Sequence, residues 1–122
     1  KEFEENAETP DLEEARLFHE MLGFVHTNVA QPLSVKDIAD SARLNKNRCT
    51  ALFKTHTNMS HIKYVNEYRL YTAKNMILHT DRSISDISAD VGYNQISHFI
   101  EQFRLSYGMS PLKYRHKFGQ EA

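Results

Sequence analysis

The sequence predicts an all-α chain: seven helices forming two helix-turn-helix subdomains joined by a long linker helix. Three observations predict this. Apolar residues recur at steps of three and four, which places them on one helical face, and the β-like alternations are too short to compete. Ser, Asn or Asp stands ahead of each apolar stretch as a helix-opening signal. One phrase also occurs twice, His-Thr-Asn-Met-Ser-His-Ile-Lys-Tyr-Val at 56–65 and Ser-Tyr-Gly-Met-Ser-Pro-Leu-Lys-Tyr-Arg at 106–115.

Residues 1–11 read as an acidic linker or tail. Asp11, with Glu14 three residues on, has the form of a cap for a first helix. Its inner stripe is Ala15, Phe18, Leu22, Val25 and Val29, and Gln31-Pro32 ends it, because a residue before proline is driven from the helical region. Ser34 with Asp37 opens a short second helix through Ala42. Asn45 caps a third, with Cys49, Leu52 and Phe53 inward. Ser60 caps a long fourth helix reaching about Leu78, with Ile62, Val65, Tyr68 or Arg69, Ala73, Met76 and Ile77 as its stripe. Residues 79–82 connect it to a fifth, where Ser83 and Asp86 repeat the capping pattern and Ile84, Ile87 and Val91 face inward. Gly92 suits a left-handed turn. Asn94 caps a sixth helix carrying Phe99 and Phe103. Ser110-Pro111, a cap followed by proline at the first helical position, opens a seventh. The expected division is a tail at 1–11, a first subdomain at 12–59, a linker helix at 60–80 and a second subdomain at 81–118.

The duplication is wider than one phrase. At a shift of 49, Ser34, Val35, Asp37, Ile38 and Asn45 meet Ser83, Ile84, Asp86, Ile87 and Asn94. At a shift of 50, Phe53-Lys54 meets Phe103-Arg104, Met59-Ser60 meets Met109-Ser110, and Lys63-Tyr64 meets Lys113-Tyr114. One extra residue therefore sits near the start of the second copy's later helix. Each copy is a short helix, a tight turn and a second helix, then a Met-Ser that starts the next helix. Met59 and Met109 are read as equivalent lids on the two cores, with Tyr64 and Tyr114 packed nearby. A linker helix from Ser60 to Leu78 is about 28 Å long at about 1.5 Å per residue, close to the roughly 34 Å between successive major grooves on one face of B-DNA. A single chain could then hold two reading helices one turn apart, over an asymmetric target.

Composition narrows the functional classes. The chain has 122 residues and a net charge of -1, but the charge is unevenly placed. Residues 1–20 hold eight acids against Lys1 and Arg16, whereas residues 21–122 hold thirteen Lys and Arg against eight Asp and Glu. Such local clusters set the field a polyanion meets. The lone Cys49 excludes an internal disulfide and a cysteine-based zinc finger, and reads as core rather than nucleophile. No two of the seven histidines lie three or four apart on one helix, so no metal site is expected. Four scattered glycines build no phosphate loop, and no nucleophile elbow is present, so neither an enzyme nor a cofactor is expected. No apolar run would span a bilayer, and no signal peptide is visible. A chain beginning at Lys1 reads as part of a longer one.

The stretch Arg82-Ser-Ile-Ser-Asp-Ile-Ser-Ala-Asp-Val-Gly-Tyr93 continues through Phe99, Phe103 and Arg104 to Tyr107-Gly-Met-Ser-Pro-Leu-Lys-Tyr-Arg115. With Leu52-Phe-Lys54, Tyr64, Arg69-Leu70 and Ala73, it makes residues of about 12–118 resemble the AraC/XylS-type DNA-binding domain of bacterial transcriptional regulators. The resemblance implies a monomeric domain that places the second helix of each unit in the major groove, usually bending the DNA. It implies double-stranded DNA and RNA polymerase as partners, a cytoplasmic and nucleoid location, and an N-terminal sensor domain outside this chain.

On the first reading helix, Lys46, Asn47, Arg48, Thr50 and Ala51 are candidate base contacts, with Asn47, Thr50 and Ala51 groove-facing by the resemblance. Asn suits adenine, Arg suits guanine, and Ala can touch only a thymine methyl. On the second, Gln95, Ile96, Ser97, His98 and Glu101 are the candidates: Gln95 for adenine, Ile96 for a thymine methyl and Glu101 for a cytosine amine. Ile96 has an alternative reading as an edge of the core, and His98 as a solvated side chain. Lys54, Arg104, Lys113 and Arg115, with the helix starts at Ser34 and Ser83, are candidate phosphate contacts. The sequence departs from the family at Ala51 and Glu101, where the resemblance leads one to expect Arg. Arg43 stands at the turn position that Gly92 fills in the second copy, where a left-handed Arg costs on the order of 1 kcal/mol. Arg69 reads as a structural ion-pairing residue, and the acidic start as a solvated tail rather than an autoinhibitory DNA mimic. The competing function is a helical protein-interaction module with degenerate DNA binding, which Ala51, Glu101 and the near-neutral total charge favour.

Overall fold

The computed structural model describes the backbone of residues 2–119 and the side chains of residues 12–119. Among the described residues there are seven helices and no strand: α1 (Glu2–Asn28), α2 (Val35–Ser41), α3 (Lys46–Thr57), α4 (His61–His79), α5 (Ile84–Asp90), α6 (Ile96–Tyr107) and α7 (Pro111–Phe118). They form two compact units, one of Lys1–Asn28 with Leu33–Tyr64, the other of Val29–Pro32 with Val65–Ala122. The linker helix α4 is unbroken, contributing its first turn to one unit and its remainder to the other.

In the first unit, α1, α2 and α3 close over Phe18, Met21, Val25, Ile38, Ala39, Ala42, Cys49, Leu52 and Phe53. Of the expected α1 stripe Phe18, Val25 and Val29 are buried, whereas Ala15 is exposed, Leu22 is half-buried and Met21 joins the buried face. The expected start at Asp11 is also corrected, since α1 runs unbroken from Glu2. The side chains of the expected acidic tail, 1–11, lie outside the described residues.

In the second unit, Leu70, Ala73, Ile77, Ile87, Val91, Tyr93, Phe99 and Phe103 form one buried cluster, with Met76, Ile84, Ile100, Tyr107 and Tyr114 against it. The α4 stripe was expected to include Ile62; instead Ile62 is 69% exposed and Leu70 is fully buried. Leu70, Ala73 and Ile77 keep the three-and-four spacing; Ile62, eight residues before Leu70, fits that spacing too but has no core packed over it.

The duplicated sequence makes duplicated hydrogen bonds. The Ser34 hydroxyl accepts from Asp37 N at 3.0 Å, and Ser83 accepts from Asp86 N at 3.0 Å. In the first turn, Arg43 N donates to Asp40 O and Leu44 N to Ala39 O; in the second, Gly92 N donates to Ala89 O and Tyr93 N to Ser88 O. All three pairs stand 49 residues apart. From the reading helices onward the offset is 50. Cys49 N donates to Asn45 O as Phe99 N does to Gln95 O, and Asn58 N donates to Lys54 O as Gly108 N does to Arg104 O. The Ser60 and Ser110 hydroxyls then cap Lys63 N and Lys113 N. Asn94 is therefore the inserted residue, and the expected Asn94 cap is corrected. Gln95 holds the N-cap position of α6 and makes no side-chain capping bond.

Two arginines each satisfy two backbone carbonyls in the second unit. Arg69 donates from Nε to Val29 O and from Nη2 to Gln31 O, both at 2.9 Å. Arg115 donates from Nε to Ile77 O at 3.0 Å and from Nη2 to Thr80 O at 3.1 Å. The last carbonyls of α4 lack partners within it, and the Arg115 guanidinium meets that negative helix end, while Arg69 satisfies two carbonyls of the non-helical segment 29–32. Arg69 is thus structural as expected, though its partners are carbonyls rather than a carboxylate. The Tyr93 hydroxyl donates to Asn66 Oδ1, and Asn66 Nδ2 donates to Gln102 Oε1 at 3.3 Å, tying α4 to the turn and to α6. Burial pushes the Tyr93 phenol up to about 12.

The two turns differ in what they tolerate. Arg43 takes φ +61°, so a side chain is accommodated there at the strain expected of it. At Gly92, with φ +104°, a Cβ would lie 2.6 Å from Val29 O and 2.9 Å from Arg69 Nε. Gly92→Ala should cost about 2 kcal/mol or more, because it adds a backbone clash to the φ penalty. Gly108→Ala, where φ is +83° and no atom lies within 4 Å, should cost about 1 kcal/mol. Urea titrations of the two variants would measure the difference; equal costs would mean that the turn relaxes.

Candidate nucleic-acid interface

The reading helix of the first unit is fixed from behind. Cys49, Leu52 and Phe53 are buried, and the Phe53 ring meets Phe18 edge-on at 5.0 Å and Tyr64 at 5.6 Å. His56 stacks on the other side of Phe18 at 4.8 Å. With that stripe inward, the three-and-four spacing turns Lys46, Asn47, Arg48, Thr50, Ala51 and Lys54 outward, and all six are exposed. The Asn45 side chain accepts from Arg48 N at 2.8 Å and so fixes where the helix starts. The Arg48 guanidinium lies 3.3 Å from Glu14 on α1, a contact that nothing in the local pattern around Arg48 signals.

The second unit repeats this with different side chains. Phe99 and Phe103 are fully buried, and Tyr114 meets Phe103 edge-on at 5.4 Å, the counterpart of Tyr64 on Phe53. Gln95, Ile96, Ser97, His98, Glu101 and Arg104 are exposed. Ile96, at 41% exposure, lies outside the buried core, and the His98 ring sits 5.5 Å from Tyr93, edge to face. Because Gln95 makes no capping bond, its amide is left to face outward.

The expected anion contacts divide into three groups. Lys54, Arg104 and Lys113 are exposed. Ser34 and Ser83 are exposed caps: each hydroxyl oxygen accepts a backbone N–H and keeps its own proton for an outside acceptor. At Ser34 the backbone N–H is already taken by Asp37 Oδ2 at 3.3 Å. Arg115 is half-buried, and its Nε and Nη2 donate to Ile77 O and Thr80 O inside the unit. Lys113, His116 and Lys117 line a shallow concavity with Met109, a basic set that their i, i+3, i+4 spacing on α7 would have revealed.

Cys49 is fully buried, and burial raises its thiol pKa, away from a reactive thiolate. No group of three His, Cys, Asp or Glu side chains among the described residues could hold a metal ion. No described helix is long and apolar enough to cross a membrane.

Comparison with known proteins agrees with this geometry. A family model described as a helix-turn-helix domain matches residues 38–117. The lactose operon transcription activator of Staphylococcus xylosus is 34% identical over 95 residues, covering 78% of this chain and 34% of that protein. The melibiose operon regulatory protein of Escherichia coli K12 is 32% identical over 96 residues, covering 79% of this chain and 32% of its own length. The chain thus spans about a third of the length of these curated relatives. Among solved structures, a Chromobacterium violaceum transcriptional regulator, described as containing an AraC-type DNA-binding domain, superposes with a TM-score of 0.81. It is 26% identical, with 88% of this chain and 96% of that one covered.

Acid should loosen the seat of α3. Burial lowers the pKa of His61 and, with His19 as a smaller cause, that of His26. His61 Nδ1 is buried without a hydrogen-bond partner, and His26 Nε2 lies 2.8 Å from the Tyr64 hydroxyl. Below about pH 6.5 the unfolded chain takes up protons that the folded chain resists, so stability is full above that pH and declines beneath it. Melting temperatures measured from about pH 7.5 down to about pH 5.5 should fall, and His61→Gln should flatten the decline. An unchanged slope in that variant would remove His61 from the account.

Proposed function

The chain belongs to the AraC/XylS-type family of helix-turn-helix domains, and on that premise we propose that it binds double-stranded DNA sequence-specifically and regulates bacterial transcription. In this reading α3 and α6 each enter a major groove and read one half of an asymmetric site. The observation that carries it is the repeated division of labour on these two helices: phenylalanines inward, and outward an exposed set of amide, hydroxyl, cationic and small apolar side chains. That outward chemistry matches what base edges offer. Asn47 and Gln95 are the adenine readers, Arg48 takes guanine, and Ala51 and Ile96 face thymine methyls. Lys46, Thr50, Ser97 and His98 complete the reading set, and Glu101 selects against phosphate-only contact. Lys54, Arg104 and Lys113, with the caps at Ser34 and Ser83, hold phosphates. A 19-residue α4, about 28 Å long, is the spacer this reading needs.

The wider reading follows from the relatives' length. The domain is the DNA-binding output of a longer bacterial regulator with a sensor domain, acts on RNA polymerase at the promoter, and works at the nucleoid in the cytoplasm. The second reading is a helical interaction module with degenerate DNA binding. Ala51, Glu101 and a net charge of -1 favour it.

Selection from a random duplex pool separates the two. The expected product is one asymmetric motif with half-sites about one helical turn apart, bound with an affinity that falls steeply as salt rises. Asn47→Ala and Gln95→Ala should each lose about 1–3 kcal/mol of discrimination, in different halves. No enriched motif at low salt would favour the interaction module, and relaxation of the same half by both variants would overturn the helix assignments.

A further inference from the structure

One contact on the reading surface belongs to neither the core nor the DNA. Arg48 stands in the first turn of α3, its backbone N–H held by Asn45 and its side chain 45% exposed. Its Nη2 lies 3.3 Å from Oε2 of Glu14, which reaches it from α1 and is itself 35% exposed. The neighbouring carboxylate, Glu13, instead turns to Arg16 at 2.7 Å. Counted at the offset of 50, the counterpart of Arg48 is His98, which meets a tyrosine ring rather than a carboxylate. The carboxylate contact thus marks the first copy's reading helix and not the second's.

We propose that Glu14 is a specificity-setting residue. Its carboxylate holds the Arg48 guanidinium and thereby suppresses binding to duplexes of arbitrary sequence. This rests on the DNA-binding reading above. An arbitrary duplex attracts Arg48 only through phosphate charge, which is the whole of non-specific affinity. To gain that attraction it must draw Arg48 from Glu14 or accept the carboxylate beside its own anions. A guanine in the right place offers two directed acceptors to the same fork. The carboxylate therefore penalises the wrong sequence more than the right one, and it acts on one half of the site.

Fluorescence anisotropy with a random-sequence duplex and with the selected duplex, across a salt series, tests this. Glu14→Gln should tighten binding to the random duplex by about threefold, the scale of one exposed ion pair. Its salt dependence should steepen by about 0.9 in the log–log slope, one further phosphate contact. Affinity for the selected duplex should change less, so the ratio between the two falls. Glu13→Gln removes the same charge one residue away and should leave the ratio unchanged. In an Arg48→Ala background, Glu14→Gln should do nothing. Equal effects of Glu13→Gln and Glu14→Gln, persistence of the effect without Arg48, or weaker random-duplex binding by Glu14→Gln would each overturn the proposal. Failure of the unsubstituted protein to bind either duplex at low salt would be a different result, sinking the DNA-binding reading itself.

Discussion

A helix of twelve residues lying on a small core can give that core only one stripe, and α3 and α6 both give it to phenylalanine. Phe53 and Phe103 are fully buried, each with a tyrosine from the following helix against its ring. Their seating decides the rotation of the helix, and the rotation decides which side chains look outward. The pairing of aromatic rings also adds preferred geometry to simple area burial, which resists rolling of the helix about its own axis. Every functional assignment on these surfaces inherits its direction from those two rings.

The two copies secure that rotation with different chemistry. Behind α3 the contacts are rings: Phe18, His61 and Tyr64 around Phe53. Behind α6 a polar chain adds to the rings, running from Tyr93 through Asn66 to Gln102. This polar chain is only partly buried, but it still favours one arrangement, because sliding it would break two directed hydrogen bonds. The arginines serve the same end. Arg69 and Arg115 each close two carbonyls that the helices cannot close themselves, and Gly92 is small because Arg69 and Val29 O occupy the space a side chain would need.

Much of this was legible in the sequence. Short-range signals, such as Ser34 with Asp37, Ser83 with Asp86 and Ser110 with Pro111, act within one turn, so local pattern is enough to find them. The inward set of α3 and the exposure of the reading residues followed from spacing alone. What local pattern missed depends on distant partners. Ala15 and Ile62 fit an apolar stripe by count, but burial is settled by what lies opposite, which for α1 and α4 is chain dozens of residues away. Arg115 reads as an anion contact by charge, and only the fold brings it to Ile77 O and Thr80 O. Glu14 was invisible as a partner of Arg48 for the same reason. Asn94 misled through its identity with Asn45, when the hydrogen bonds pair Asn45 with Gln95.

That inserted asparagine governs how the two halves could be exchanged. A graft that transplants the outward residues of α3 onto α6 by matching Asn45 to Asn94 would be one residue out of step. Each transplanted side chain would then be turned by about 100° around the axis. Phe53 would land on the position of Gln102, while Thr50 and Lys54 would land on Phe99 and Phe103, driving a hydroxyl and a cation toward the ring pocket. Matched through Gln95 instead, Phe53 falls on Phe103, and the transplanted surface keeps its orientation while its vocabulary changes.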